Sequence, residues 1–162
     1  MLELIRPDVA RHKAWLASHR EWGPGLHEDG FGLGADDDVD SAEGFAAWVG
    51  RVRSLPAAQT WWIVEGDAVQ GGMALRTTTN AKVLRLGHVG YGIRPSARRR
   101  GIATWALGAL LPHARAAGMT RLLLVCLDDN VGSIKTIERH GGVVEHVVDD
   151  GNGLVRRYWI DL

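Results

Sequence analysis

The sequence predicts an α/β domain built on a mixed central sheet of about seven strands. Three observations carry this expectation. Short runs rich in aliphatic, β-branched and aromatic residues recur at residues 2–6, 60–65, 68–76, 83–94, 121–127, 143–148 and 154–160. Between 83 and 140 such runs alternate with stretches of helical periodicity, the pattern of strand–helix–strand layering. The chain then ends in two strand-like runs joined by Asp149-Asp150-Gly151-Asn152-Gly153, a turn sequence.

The elements read in order as β-α-α-β-β-β-α-β-α-β-β. The first strand stops at Pro7, and Asp8 is placed to cap a helix through Trp15 to about Arg20. A glycine-rich stretch over 21–35 reads as loop. Ser41 or Asp40 starts a second helix through Phe45, Trp48 and Val52, ending before Pro56. Gly66-Asp67 turns the chain between two strands, and residues 83–94 read as one long strand ended by Pro95. Gly101 opens a helix with Ile102, Ala106, Leu107, Leu110, Leu111 and Ala114 on one face. Pro112 should kink it, since its ring crowds the carbonyl of Gly108. Gly118 closes it. After a strand over 121–127, Asn130 caps a helix to His140, closed by Gly141-Gly142.

Composition narrows the class. The 162 residues are 46% hydrophobic and 23% charged, as in ordinary globular chains. No 20–50-residue repeat and no linker divides them, so one domain over 1–162 is expected. Nineteen basic residues balance nineteen acidic ones, so no global field draws nucleic acid or an anionic membrane. The single cysteine, Cys126, excludes a disulfide framework and a multi-cysteine zinc site. The histidines lack paired ligand spacing, so no metal is expected. No apolar run is long enough to span a bilayer, and residues 1–7 do not resemble a signal peptide, so a cytoplasmic location is expected.

The chemically sharpest segment runs from Gly90 to Thr104. A strand is broken by Pro95, a short loop follows, and Arg98-x-x-Gly101-x-Ala103 opens an apolar helix. A helix N-terminus presents unpaired N–H groups and partial positive charge. Glycine there lets a phosphate approach the backbone, Ala103 keeps the next turn clear, and flanking arginines add charge. The bland alternative for Arg98, Arg99 and Arg100 is a solvated basic run before a helix. The glycine–lysine signature of a P-loop is absent.

This segment resembles the acetyl-CoA pyrophosphate motif of the GNAT superfamily of N-acetyltransferases. A second family motif follows as Asn130-x-x-Ser133-x-x-x-Ile137-x-x-x-Gly141-Gly142, and the element order is similar to the family's along the whole chain. The resemblance implies a GNAT-like sheet with two parallel neighbouring strands, 83–94 and 121–127, splayed at the cofactor. It implies that the backbone of Tyr91, Gly92 and Ile93 pairs with the pantetheine arm and polarises the thioester carbonyl. It implies that Arg98, Arg99, Arg100, Gly101, Ile102, Ala103 and Thr104 cradle the pyrophosphate, and that Asn130 and Ser133 lie at the cofactor.

Many members of the family carry a tyrosine where this chain has Ile137, and that tyrosine protonates the leaving thiolate. Ser133 falls where a serine stands in the ribosomal-protein N-terminal acetyltransferase branch, so the resemblance makes Ser133 the catalytic acid. The alternative is a serine that only bonds backbone near the helix start. For the base, His88, Tyr158 and a water relay stay open, with an acetyl-Cys126 route a further alternative. Seven acids over 28–43 (Glu28, Asp29, Asp36, Asp37, Asp38, Asp40 and Glu43) could steer a cationic acceptor or form a solvated surface. Trp22, Phe31, Phe45 and Trp48 could line an acceptor pocket or belong to the core.

The expected activity is transfer of an acetyl group from acetyl-CoA to a primary amine, on a small molecule or a peptide N-terminus. No nucleic-acid or membrane partner is expected, and a homodimer through the last strands is plausible. The rival reading is a CoA-binding sensor or interaction module without catalysis, motivated by Ile137.

Overall fold

The computed structural model describes residues 1–162. Seven strands and five α-helices follow in the order β-α-α-β-β-α-β-α-β-α-β-β. The strands are hydrogen-bonded as one sheet of four and one of three. Residues 1–74 and 91–102 form one compact unit, and residues 75–90 and 103–162 a second.

In the first unit, β1 (Leu2–Ile5) lies antiparallel to β2 (Ala58–Glu65), from Leu2 opposite Glu65 to Ile5 opposite Trp62. The Asp8 carboxylate accepts the Ala10 N–H and starts a 3-10 turn that leads into α1 (His12–Glu21). Ser41 caps α2 (Ala42–Arg53) by accepting the Gly44 N–H at 3.0 Å. The two helices bury Trp15, Phe45 and Trp48 against Trp62 of β2, all at most 1% exposed. Ring centroids are 4.7 Å apart for Trp15 and Trp48, and 6.0 Å for Phe45 and Trp62. Each such side chain contributes roughly 1.5–3 kcal/mol by leaving water. Phe45 and Trp48 are therefore core residues and are not available to line an acceptor pocket.

The four-stranded sheet continues through β3 (Ala68–Arg76) to β4 (Val89–Ile93), its last strand. The long strand expected over 83–94 is not formed. Asn80 instead accepts the Val83 N–H at 2.9 Å and caps a short helix, α3 (Ala81–Leu86). Gly87, at φ +88°, ends that helix, and β4 begins only at Val89.

In the second unit, α4 (Ile102–Ala116) runs on through Pro112, with Ala106, Leu107, Leu110 and Ala114 fully buried. β5 (Arg121–Leu127) and β6 (Val143–Asp149) flank β7 (Leu154–Asp161), both antiparallel to it. Between them comes α5 (Val131–Arg139). β6 is an edge strand, and all seven of its residues are exposed, Val143 to 70%. No helix is long and apolar enough to cross a membrane.

Candidate active site

The first group of candidate residues follows β4. Arg94 continues the pairing with β3, its N–H donating to the Gln70 carbonyl at 2.8 Å. Pro95 then opens a 3-10 turn, Pro95–Ala97. Beyond it Arg98 is extended, Arg99 adopts φ +59° and Gly101 φ +75°, and α4 begins at Ile102. A left-handed arginine costs about 1–2 kcal/mol, so this turn is held in shape by its surroundings. A side chain on Gly101 would meet nothing within 4 Å, so the backbone there faces open space.

One such holding contact is Glu21, the last residue of α1. Its carboxylate accepts from Arg94 Nη2 at 2.7 Å and Nε at 3.1 Å. It also accepts from the Ser96 N–H at 3.0 Å and the Ser96 hydroxyl at 2.8 Å. The bonds from Arg94, then those from Ser96, hold the Glu21 pKa at about 2.

The basic run is only partly free. Arg98 Nε donates to the Ile93 carbonyl at 2.9 Å, and its guanidinium lies over Trp22 at 4.8 Å. Arg100 pairs with Glu65 at 2.9 Å. Gly92 is glycine for a steric reason. A Cβ there would lie 2.6 Å from Glu28 Cβ and 3.0 Å from the Trp22 ring.

The second group lies around α5. Asn130 accepts the Ser133 N–H at 3.1 Å and so caps the helix. Ser133 lies against Cys126, which is 8% exposed and whose thiol pKa is raised by burial. Thr104 hydrogen-bonds Thr136 side chain to side chain at 3.0 Å, and its carbonyl accepts from His140 Nε2 at 2.7 Å, tying α4 to α5. Ile137 is 1% exposed and packs inward. Tyr158 donates its hydroxyl proton to Glu138 at 2.9 Å, and burial raises its pKa, so it stays protonated at neutral pH.

His88 is 3% exposed. Its Nδ1 accepts the Leu123 N–H at 2.8 Å, which leaves the proton of the neutral ring on Nε2, donated to the Thr79 hydroxyl at 3.1 Å. Its backbone N–H also donates to the Leu123 carbonyl at 2.7 Å. The ring's one lone pair is thus occupied, and its pKa is lowered by burial and then by Arg76 and Arg121. In this arrangement His88 fastens the chain to β5 and has no lone pair to offer a substrate proton.

The acetyltransferase (GNAT) family profile fits residues 17–142, more than three quarters of the chain. The chain belongs to the GNAT acetyltransferase family. Acetyl-CoA is the acyl donor of this family, and no three His, Cys, Asp or Glu side chains of this member gather to hold a metal. No curated protein sequence matches the chain.

Solved structures extend the likeness of fold. The ribosomal-protein-S5-alanine acetyltransferase of Vibrio fischeri has a TM-score of 0.73 at 15% identity, over 99% of this chain and 92% of that one. A Salmonella typhimurium acetyltransferase that modifies the N-terminal serine of ribosomal protein L7/L12 has a TM-score of 0.66 at 21% identity, over 99% and 95%. The microcin C7 self-immunity acetyltransferase MccE, solved with acetyl-CoA and AMP, has a TM-score of 0.70 at 15% identity, over 99% and 92%.

In this GNAT member the structure brings Asn130, Ser133 and Cys126 together, and it runs Tyr91, Gly92 and Ile93 directly into the Arg98–Thr104 turn. It gives Thr104 and His88 internal partners. Sequence reasoning passed over Glu21, whose only local mark is its place at a helix end. It treated Glu28 only as one of seven acids, because the contact with Gly92 joins residues 64 positions apart.

Proposed function

We propose that this chain is a cytosolic enzyme that moves the acetyl group of acetyl-CoA to a primary amine, by direct attack within one ternary complex. The observation that carries this reading is the turn between β4 and α4. Two left-handed residues, Arg99 and Gly101, deliver the chain to a helix N-terminus with open space beside Gly101. The first N–H groups of α4 have no acceptor within the helix and suit a pyrophosphate. Arg99 and the outer nitrogens of Arg98 add charge.

When bound, acetyl-CoA supplies an activated acyl group with a thiolate leaving group. The rest is the work of the chain. β4 is the last strand of its sheet, and the pantetheine arm would lie along its outer edge at Tyr91, Gly92 and Ile93, where the Ile93 carbonyl already accepts from Arg98 and backbone N–H groups would meet the thioester oxygen as it gains charge. The Asn130 side-chain oxygen is used on Ser133 N–H, which leaves its amide NH2 to donate to the cofactor. Ser133 is the acid, and its side chain already lies against a sulfur, that of Cys126. With His88 and Tyr158 both occupied, a water relay takes the amine proton. The acceptor class spans small amines and peptide N-termini. Two copies would pair through the exposed edge of β6, which sedimentation at graded concentrations reads directly.

The test is calorimetric titration with acetyl-CoA, beside Gly101→Asp, followed by thiol release with an amine panel. Binding lost in the variant supports the turn as the pyrophosphate site. Equal affinity in the two proteins removes it. A second reading rests on buried Ile137: a module that binds CoA without turnover would bind normally and release no thiol with any amine.

A further inference from the structure

The seven acids over 28–43 are not equivalent. Asp29 is 2% exposed and its carboxylate pairs with His19 Nδ1 at 2.8 Å. Asp37 pairs with Arg51 and accepts the Gly34 N–H. Asp38 accepts from the N–H groups of Asp40 and Ser41. Asp40 pairs with Arg20. These four hold the loop to itself and to α1 and α2. Glu28 is exposed and belongs to none of the chain's ion pairs.

Its position is nevertheless fixed. The loop crosses the sheet at two glycines. A Cβ on Gly72 of β3 would lie 3.2 Å from the Glu28 carbonyl and from the Asp29 backbone, and one on Gly92 of β4 would lie 2.6 Å from Glu28 Cβ. Trp22 shares the Gly92 contact, and its ring stacks with His27 at 5.3 Å and takes Arg98 at 4.8 Å. An unpaired carboxylate therefore starts from the face of β4, beside the residue whose backbone the proposed mechanism uses. The arginine of this cluster, Arg98, is turned onto Trp22 and Ile93 instead.

We infer that Glu28 receives the ammonium of the acceptor and sets the enzyme's preference for cationic amines. The inference rests on the reading of β4 and its turn as the acetyl-transfer site. A carboxylate offers two oxygens to an ammonium's three donors, which fixes the nitrogen's approach as well as its charge. Over the reaction the nitrogen gives one proton to water before attack. The C–N bond then forms as the C–S bond breaks, and the nitrogen's second proton ends on the thiol.

The test uses the full chain with n-butylamine and a serine-initiated tetrapeptide amide as acceptors. Glu28→Gln is compared with Asp36→Asn, which removes the same charge from an exposed site nearby. Glu28→Gln should raise KM for both amines about tenfold, the equivalent of roughly 1.4 kcal/mol. Acetyl-CoA affinity by calorimetry should stay within about twofold, since one charge-assisted contact is removed from the acceptor alone. Asp36→Asn should leave KM in place, and Glu28→Asp should recover part of the loss. Unchanged KM in Glu28→Gln, or an equal rise in Asp36→Asn, overturns the assignment. So does a wild type that binds acetyl-CoA and acetylates neither amine. A wild type that does not bind acetyl-CoA overturns the underlying reading instead.

Discussion

Glu21 and Arg94 stand 73 positions apart and meet through two hydrogen bonds of 2.7 and 3.1 Å. Their contact ties the end of α1 to the end of β4, where the chain turns toward α4. Glu21→Gln weakens two charge-assisted bonds and keeps the shape. It should lower stability by about 1–2 kcal/mol, because the site is partly exposed. For a chain of this size that is a fall in Tm of roughly 2–8 °C. The folded pKa, about 2, lies below the 4.5 of an unperturbed glutamate. The contribution is thus complete above pH 4.5 and is lost as pH falls toward 2. Denaturant melts of both proteins across that window should converge at the acid end.

His88 should titrate against folding, not with catalysis. Its folded pKa is lowered from 6.5, so its contribution is present above pH 6.5 and is lost as pH falls below it. His88→Asn places an oxygen near the Nδ1 position, keeps an acceptor for Leu123 N–H and cannot protonate. The variant should lose this acid sensitivity while keeping the limbs of the wild-type pH–rate profile. A missing limb in kcat/KM would restore His88 as the base.

Ser133→Ala should lower kcat by about 100-fold or more, as expected for loss of a general acid, and change acetyl-CoA affinity little. Cys126→Ala removes the neighbouring sulfur and serves as the control. Single-turnover thiol release measures both. If the two variants lose activity equally, the pair is structural.

Gly92→Ala should be costly at both levels. The added methyl enters space held by Glu28 and Trp22, an overpacking cost of about 1–3 kcal/mol. Thermal melts read that loss, and acceptor KM should rise with it as the loop is displaced.

Much of the fold was legible because its signals are local. Ser41, Asn130 and Gly118 mark helix ends by their own chemistry, and β3, β5 and β7 are apolar runs bounded by turns. α3 was missed because Val83, Leu84 and Leu86 suit a strand as well as a helix. The deciding signal was Asn80, five good helix formers and Gly87. The strand–turn–helix from β4 to α4 was legible as motif. The individual fates of its arginines were not, since Arg98 turns on Trp22 and Arg100 on Glu65, contacts set by packing across 76 and 35 positions. The roles of Glu28 and His88 depend equally on distant backbone.

The left-handed backbone at Arg99 has a thermodynamic consequence. A free chain visits that conformation seldom, so its ordering is a cost charged to folding. An anion arriving at the head of α4 would meet a turn already frozen and would surrender little of its affinity to arranging it. Replacing Arg99 with glycine would invert this arrangement: the turn would relax more readily in the empty protein, and the ligand would have to order it on arrival.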